Sequence, residues 1–494
     1  VSQLNDSPSA IASSMKWLKR VLRGKQRAAA PTREMRVPAT TAPVLQRTIH
    51  PSISDRGKAR FFHGRTEQRH EFAKMLAGAG QDPEAGTTFL VQGAPGAGKT
   101  ALLHQMALDA GAEWTVVHIR PQTLESTAAM AQALGKAYIA SRQEAIRANA
   151  QIATMDLAKI LAGTQTVTGV LQEGVGPREK ILLVLDEAQH LAEPSSPEAA
   201  ISIRDTLNDI TNGGTERHVA LLLGGLGHTE SALSERGLSR LRNKCCFTLG
   251  RFEHDATTTR IIRDWLTAGG CDPNHVKTWT DIIAPAADNW PQHIIAGVAA
   301  TLDHFHEKGD IPAPEAVQSV LWAMAEAKAV FYFARIHGLD TEDVAILGMA
   351  IGSCGPEALY DTRELLKILS VDERDERERD VLQKMQNKGV LSPRVIKQPD
   401  GAPSRRTLAF CVPIPSMERH LIMEALNYAS RKPQAGQRLW HKIEDVVKER
   451  GGVSAERMRA QLQPLFDNAT DAVTPPSTEH VSRGLRKSND PLGR

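Results

Sequence analysis

Gly93-Ala94-Pro95-Gly96-Ala97-Gly98-Lys99-Thr100 has the spacing G-x-x-x-x-G-K-[ST], a set of residue types suited to holding a chain of phosphates. The glycines let successive backbone N–H groups turn inward around the anion. The helix that opens at Lys99, Thr100 and Ala101 aims its positive dipole end at the same charge. Lys99 has the reach to bridge the β- and γ-phosphates, and the Thr100 hydroxyl is a hard oxygen ligand for Mg2+. A second set follows further along the chain, where the apolar run Ile181-Leu182-Leu183-Val184-Leu185 ends in Asp186 and Glu187. Asp186 is suited to hold magnesium through its water shell, and Glu187 to orient and polarise the water that attacks a γ-phosphate. The two sets together predict binding of a nucleoside triphosphate with Mg2+, and hydrolysis, with Lys99 and Glu187 as catalytic groups.

Such residues need rigid supports. Strand-like runs recur at Thr87–Val91, Trp114–Ile119, Lys180–Leu185, Val219–Leu223 and Cys245–Leu249, separated by segments of helical spacing. This alternation predicts an α/β core with a parallel sheet, helices on both faces and the nucleotide at the carboxyl ends of the strands. A long Ala/Gln-rich helical region between Gln122 and Leu171 reads as an insertion before the third strand. From His254 to about His304 the spacing is again helical and predicts a small helical lid. Glu376–Lys388 reads as one helix stopped by Gly389. Two strands, Val390–Lys397 and Thr407–Val412, then flank a turn at Gln398-Pro399-Asp400-Gly401.

With 494 residues, 41% hydrophobic and 24% charged, the chain is a multidomain globular protein. No apolar stretch is long enough to span a bilayer, and Val1–Asp6 lacks the order of a secretory signal, so a cytoplasmic location is expected. Five scattered cysteines without metal-ligand spacing read as reduced thiols. The net charge of +3 leaves any nucleic-acid binding to a local basic surface. One basic segment, Met15–Arg23, has Trp17, Leu18, Val21 and Leu22 on a common helical face and precedes a Pro/Ala/Thr-rich linker.

These motifs resemble those of the AAA+ ATPases over roughly Phe61 to His304. Phe62-His63-Gly64-Arg65 is similar to the F-x-G-R segment that lies over the adenine in many members, which implies nucleotide contacts for Gly64 and Arg65. Asp186-Glu187-Ala188-Gln189 resembles the form of the second motif found in transposition-helper and secretion-associated ATPases. Ser239-Arg240-Leu241 is similar to a segment of initiator-type members whose arginine crosses to a neighbouring subunit. The resemblance implies that role for Arg240, with Arg236 and Arg242 as alternatives. Two departures stand out. The fourth strand ends in Gly224-Gly225 where a polar first sensor is usual, leaving His228 or Thr229 as substitutes. The lid segment Asn289-Trp290-Pro291-Gln292-His293 lacks the usual arginine, which implies slow or partner-dependent hydrolysis. Gln189 and His190 either report the γ-phosphate or cap the strand-to-helix turn.

The resulting layout is a basic arm and linker (1–52), a nucleotide-binding core (53–252), a helical lid (253–325), a winged-helix-like domain (326–428) and a partly disordered tail (429–494). Arg394, Lys397, Arg405 and Arg406 in the wing suit phosphate contacts with double-stranded DNA. The leading expectation is an ATP-driven switch that assembles into a homo-oligomeric ring or filament, acts on DNA in transposition, replication or mobile-element regulation, and answers to a protein partner. The alternative is a signal-transducing NTPase of a bacterial defence or regulatory system activated by a protein. A secretion-assembly ATPase is suggested only by Asp186–Gln189 and is disfavoured by the lack of a membrane span.

Overall fold

The order of the strands puts all the chemistry on one edge of one sheet. Described in this computed structural model are residues 61–80, 87–119, 128–129, 131–137, 166–174, 179–192, 205–208, 210, 218–235, 246–309, 311–354, 360–361, 365, 376–396, 407–450 and 453–467. The chain begins with α1 (Thr66–Ala79), β1 (Thr87–Gly93), α2 (Lys99–Asp109), β2 (Trp114–Ile119) and α3 (Val167–Gly174). It continues with β3 (Lys180–Leu185), a short 3-10 turn (Ala188–Ala192), β4 (His218–Gly225), α4 (Thr229–Glu235) and β5 (Cys246–Leu249). The five strands form a parallel sheet in the order β2-β3-β4-β1-β5. Leu185 pairs with Leu223, Gln92 with Gly225 and Gly93 with Leu249, so β3, β4, β1 and β5 end on a common carboxyl edge.

Both faces are covered, which explains why the strands are apolar throughout. Leu182, Val184, Ala220 and Leu222 join the core on one face. The alternate residues Ile181, Leu183, Leu185, Leu221 and Leu223 join a separate core on the other. The five strand positions expected from the sequence are therefore present; Cys245 lies outside the described residues. Most of the 122–171 region lies outside them too, and its described pieces are helical.

The lid is α5 (Asp255–Ala268), α6 (Pro273–Ala287) and α7 (Pro291–Lys308), packed around Trp265, Trp279, Ile283, Ile294 and Leu302. Asp272 opens α6 by accepting a hydrogen bond from the Asn274 amide at 2.8 Å, with Pro273 in the first turn. A 23-residue helix, α8 (Pro314–Ile336), lays Ala316, Val320 and Met324 on the lid core and continues past the boundary expected at 325.

Next come α9 (Thr341–Cys354), β6 (Tyr360–Asp361), α10 (Glu376–Asn387), β7 (Ser392–Ile396), β8 (Thr407–Cys411), α11 (Met417–Arg431), α12 (Pro433–Arg450) and α13 (Val453–Asp467). The three strands form an antiparallel sheet in the order β6-β8-β7. Gly389 adopts φ 71°, a left-handed conformation that ends α10 where the sequence places its stop. Helix α9 is buried at every position from Val344 to Ile351, and a helix apolar all round has to be enclosed; α11, α12 and α13 enclose it.

Helices α12 and α13 take up residues 433–467 of the segment expected to be a partly disordered tail. Leu439, Trp440, Ile443, Val447, Met458 and Leu462 are all buried, so residues 433–467 are part of the packed structure. Residues 468–494, like residues 1–60, lie outside the described residues. Among the described residues no helix is long and apolar enough to cross a membrane and no cluster of metal-ligating side chains occurs. Cys271 and Cys411 are buried, and Cys246 and Cys354 are half-buried.

Candidate functional site

The loop from Gly93 to Gly98 leaves β1 at the carboxyl edge and enters α2, with φ 81° at Gly96 and φ 88° at Gly98. Lys99, only 7% exposed, donates to the carbonyls of Gly93 at 3.0 Å and Ala94 at 3.1 Å. Those bonds use two of its three N–H protons. Burial pushes the Lys99 ammonium below its usual range, opposed by the charges of Glu187 and Asp186 and reinforced by Arg335. A desolvated cation held only by main-chain carbonyls fits a phosphate partner.

Thr100 Oγ1 donates to Asp186 Oδ2 at 2.6 Å, so the two residues expected to ligate metal present hard oxygens at one place. Because β4 lies between β1 and β3, this link has to pass over the end of β4. There a Cβ on Gly224 would stand 2.9 Å from Asp186 Oδ1 and would also strike Leu103. The polar sensor missing from β4 is thus explained by space, since any side chain would displace Asp186. His228 and Thr229 are both buried, at the start of α4, and nothing places either beside the phosphate loop.

Gln189 supplies the polar connection instead. Its Nε2 donates to Glu187 Oε2 at 2.6 Å and its Oε1 accepts the Leu226 amide at 3.2 Å, so it ties Glu187 to the residue after β4. Glu187 itself sits at φ 56° with an exposed side chain, and its amide donates to Asp186 Oδ1 at 3.0 Å. The geometry gives Gln189 a role that neither expectation named, positioning of the acid, and His190 is exposed.

On the opposite side, Arg65 Nη2 donates to the Ala97 carbonyl at 3.4 Å and the Gly250 carbonyl at 2.5 Å, and the guanidinium lies 4.7 Å over the Phe252 ring. Burial lowers its pKa to about 10, with Glu253 pulling the other way. Gly64, at φ 78°, lies against Phe252 and Thr257, so this segment joins the phosphate loop, β5 and the lid. The lid turn closes on the loop as well. The Gln292 amide donates to the Gly96 carbonyl at 3.1 Å, and a Cβ on Gly96 would lie 2.7 Å from Gln292 Cβ and 2.9 Å from Trp290 Nε1.

His293 does not supply a cation here. It is 1% exposed, its Nε2 is hydrogen-bonded to Tyr332 Oη at 3.0 Å, and burial, assisted by Lys328, lowers its pKa to about 3. Tyr332 donates onward to the Pro415 carbonyl at 3.1 Å, and Ser416 donates to Asp288 in the lid turn. The lid turn is thereby fastened to the C-terminal helices. Because the folded pKa of His293 lies below its ordinary 6.5, unfolding takes up a proton between about pH 6.5 and 3, and stability is lost as the pH falls through that window. The expected cost is about 2 kcal/mol between pH 6.5 and 5. Urea titrations at several pH values should show a shallower acid dependence for His293→Gln; equal slopes in the two proteins would exclude the assignment.

The site residue that sequence reasoning missed is Arg335, in the last turn of α8. It stands close enough to Lys99 and Glu187 for its charge to act on both. Arg240, Arg236 and Arg242 lie outside the described residues.

A parallel sheet ordered β2-β3-β4-β1-β5, with a phosphate loop on β1, an acidic pair after β3 and a three-helix lid, defines a P-loop nucleotide-binding fold. Residues 84–232 match the AAA domain family, which places an AAA domain over this part of the chain. No curated protein matches it. Among solved structures the chain is similar to a Walker-type ATPase of Pyrococcus abyssi, at 13% identity over 73% of this chain and 96% of that one, with a TM-score of 0.47. It is also similar to the ORC2 protein of Aeropyrum pernix in its ADP form (14% identity, 76% of this chain, 93% of that one, TM-score 0.46). A third is the ORC1 protein of Aeropyrum pernix in complex with DNA (17% identity, 75% of this chain, 93% of that one, TM-score 0.39).

Proposed function

We propose that the chain is an ATP-binding and ATP-hydrolysing switch of the initiator and transposition-helper kind, which assembles with copies of itself and acts on double-stranded DNA. The observation that carries the chemical half is the meeting of Thr100, Asp186, Glu187 and Lys99 at one sheet edge, with Thr100 Oγ1 and Asp186 Oδ2 2.6 Å apart. Gly93 to Ala101 cradle the phosphates with main-chain N–H groups and the N-terminal end of α2. Lys99 transfers its bonds from the Gly93 and Ala94 carbonyls to phosphate oxygens. Thr100 and Asp186 would hold Mg2+, which when bound would supply positive charge to offset that of the phosphate oxygens. Glu187, steadied by Gln189, takes a proton from the attacking water. Gly64 and Arg65 border the base. Arg240 is proposed to act across a subunit boundary.

Support for DNA contact is topological. The order helix, strand, helix, strand, strand of α9, β6, α10, β7 and β8, with the sheet order β6-β8-β7, supports the winged-helix reading. Its hairpin carries Arg394, and Lys397, Arg405 and Arg406, which lie outside the described residues, continue the basic run. One contact favours the alternative, a protein-activated NTPase with this domain as a brake. Gly389 packs against Pro95 of the phosphate loop and Ser392 against Gly227 after β4, so the domain rests on the nucleotide site. Both readings are separated by turnover and particle images with and without linear duplex DNA. Stimulation by DNA, or ATP-dependent rings or filaments on it, is expected; neither effect, with activation by a protein alone, would decide for the brake.

A further inference from the structure

The lid turn leaves the phosphate loop without the cation that AAA+ resemblance places there: Gln292 is neutral and His293 is buried and uncharged. The structure brings a guanidinium to the same place from elsewhere. Phe331 Cζ stands 3.2 Å from where a Cβ on Gly96 would be, which seats this turn of α8 directly on the phosphate loop. One turn later Arg335 lies with its guanidinium 5.2 Å over the Phe331 ring. Its Nε is buried and, among the described residues, has no hydrogen-bond partner. Burial lowers the Arg335 pKa and the negative charge of Glu187 raises it, while Lys99 feels Arg335 as a like charge. Helix α8 thus brings a guanidinium to the phosphate loop that ends in the buried Lys99. A half-buried guanidinium with an unused N–H, repelled by the nearest ammonium, is poorly accommodated until an anion separates the two.

We infer that Arg335 is the in-cis arginine that reads the terminal phosphate of the bound nucleotide, delivered by α8 in place of the missing lid arginine. The inference rests on the nucleotide-binding reading above and adds the residue that distinguishes ATP from ADP. A planar fork of N–H donors suits the two or three free oxygens of a terminal phosphate, and its distance from the base leaves recognition of the nucleoside to other groups. Tyr332, three residues earlier on the same helix, bonds the Pro415 carbonyl, so Arg335 is carried by a helix clamped to the C-terminal helices. A partner that moves those helices would move the arginine.

The test is equilibrium titration of the full chain with ADP and with a non-hydrolysable ATP analogue, for wild type, Arg335→Ala and Arg335→Lys. Loss of the fork should weaken the ATP analogue by about ten-fold while ADP changes less than about two-fold, and Arg335→Lys should recover part of the difference. A purely structural contribution through stacking on Phe331 would weaken both nucleotides alike, and that result, or an unchanged ratio in both variants, overturns the inference. A wild-type chain that binds neither nucleotide refutes the parent reading and this one with it. Should Arg335→Ala fail to fold, Arg335→Gln takes its place, with the same loss expected as for Ala and partial recovery in Arg335→Lys.

Discussion

Glu187→Gln should lower ATP turnover by about 100-fold to 10,000-fold while leaving ATP affinity nearly intact. The expectation follows from how the acid is held. Glu187 is fixed by its own left-handed backbone and by Gln189 Nε2, 2.6 Å from its Oε2. An isosteric amide keeps the oxygen that accepts from Gln189 and loses only the basicity needed to take a proton from water. The variant should therefore accumulate in its ATP-bound state, and any assembly that ATP drives should persist. Single-turnover hydrolysis beside equilibrium binding measures both parts. Unchanged turnover would move the base elsewhere, and equal loss of binding would show that Glu187 supports the loop instead.

Lys99→Ala acts on the other half. Removing a buried ammonium from a phosphate contact is expected to weaken ATP by about 100-fold or more, since truncating one partner of a buried charge pair costs about 2–5 kcal/mol. The unliganded fold should not suffer in proportion. Lys99 is desolvated, its pKa is lowered by that burial, and its partners are two loop carbonyls that water can replace. Melting of the nucleotide-free variant should stay within a few degrees of wild type, while the upward shift that ATP gives wild type disappears. A nucleotide-free protein that unfolds on this substitution would assign Lys99 to structure.

The strands and the two acidic and basic motifs were legible because each is local. An apolar run followed by G-x-x-x-x-G-K-[ST], or by two acids, states its own position, and the parallel order follows from the alternation with helices. Gly224 was visible only as a missing sensor. Its reason, clearance for Asp186 reaching across β4 to Thr100, needs the strand order β3-β4-β1, which no spacing encodes. Arg335 left no trace for the same reason: it meets Lys99 and Glu187 through the packing of α8, a helix that belongs to neither motif. In the segment after 429, Pro433 opens α12, where a missing N–H costs nothing, and Pro464 is carried inside α13 by burial of Met458, Leu462 and Phe466. The neutral state of His293 was readable from its residue type only in part, because its burial depends on Tyr332 and the C-terminal helices.

The central claim is that the loop at Gly93 to Thr100 binds ATP with Mg2+ through Lys99, Thr100 and Asp186. Titration calorimetry of the full chain with ATP, with and without Mg2+, tests it most directly when wild type and Lys99→Ala are run side by side. The expected result is saturable, Mg2+-strengthened binding to wild type that Lys99→Ala abolishes while remaining folded. Wild type without binding, or binding of equal strength in both proteins, would contradict it.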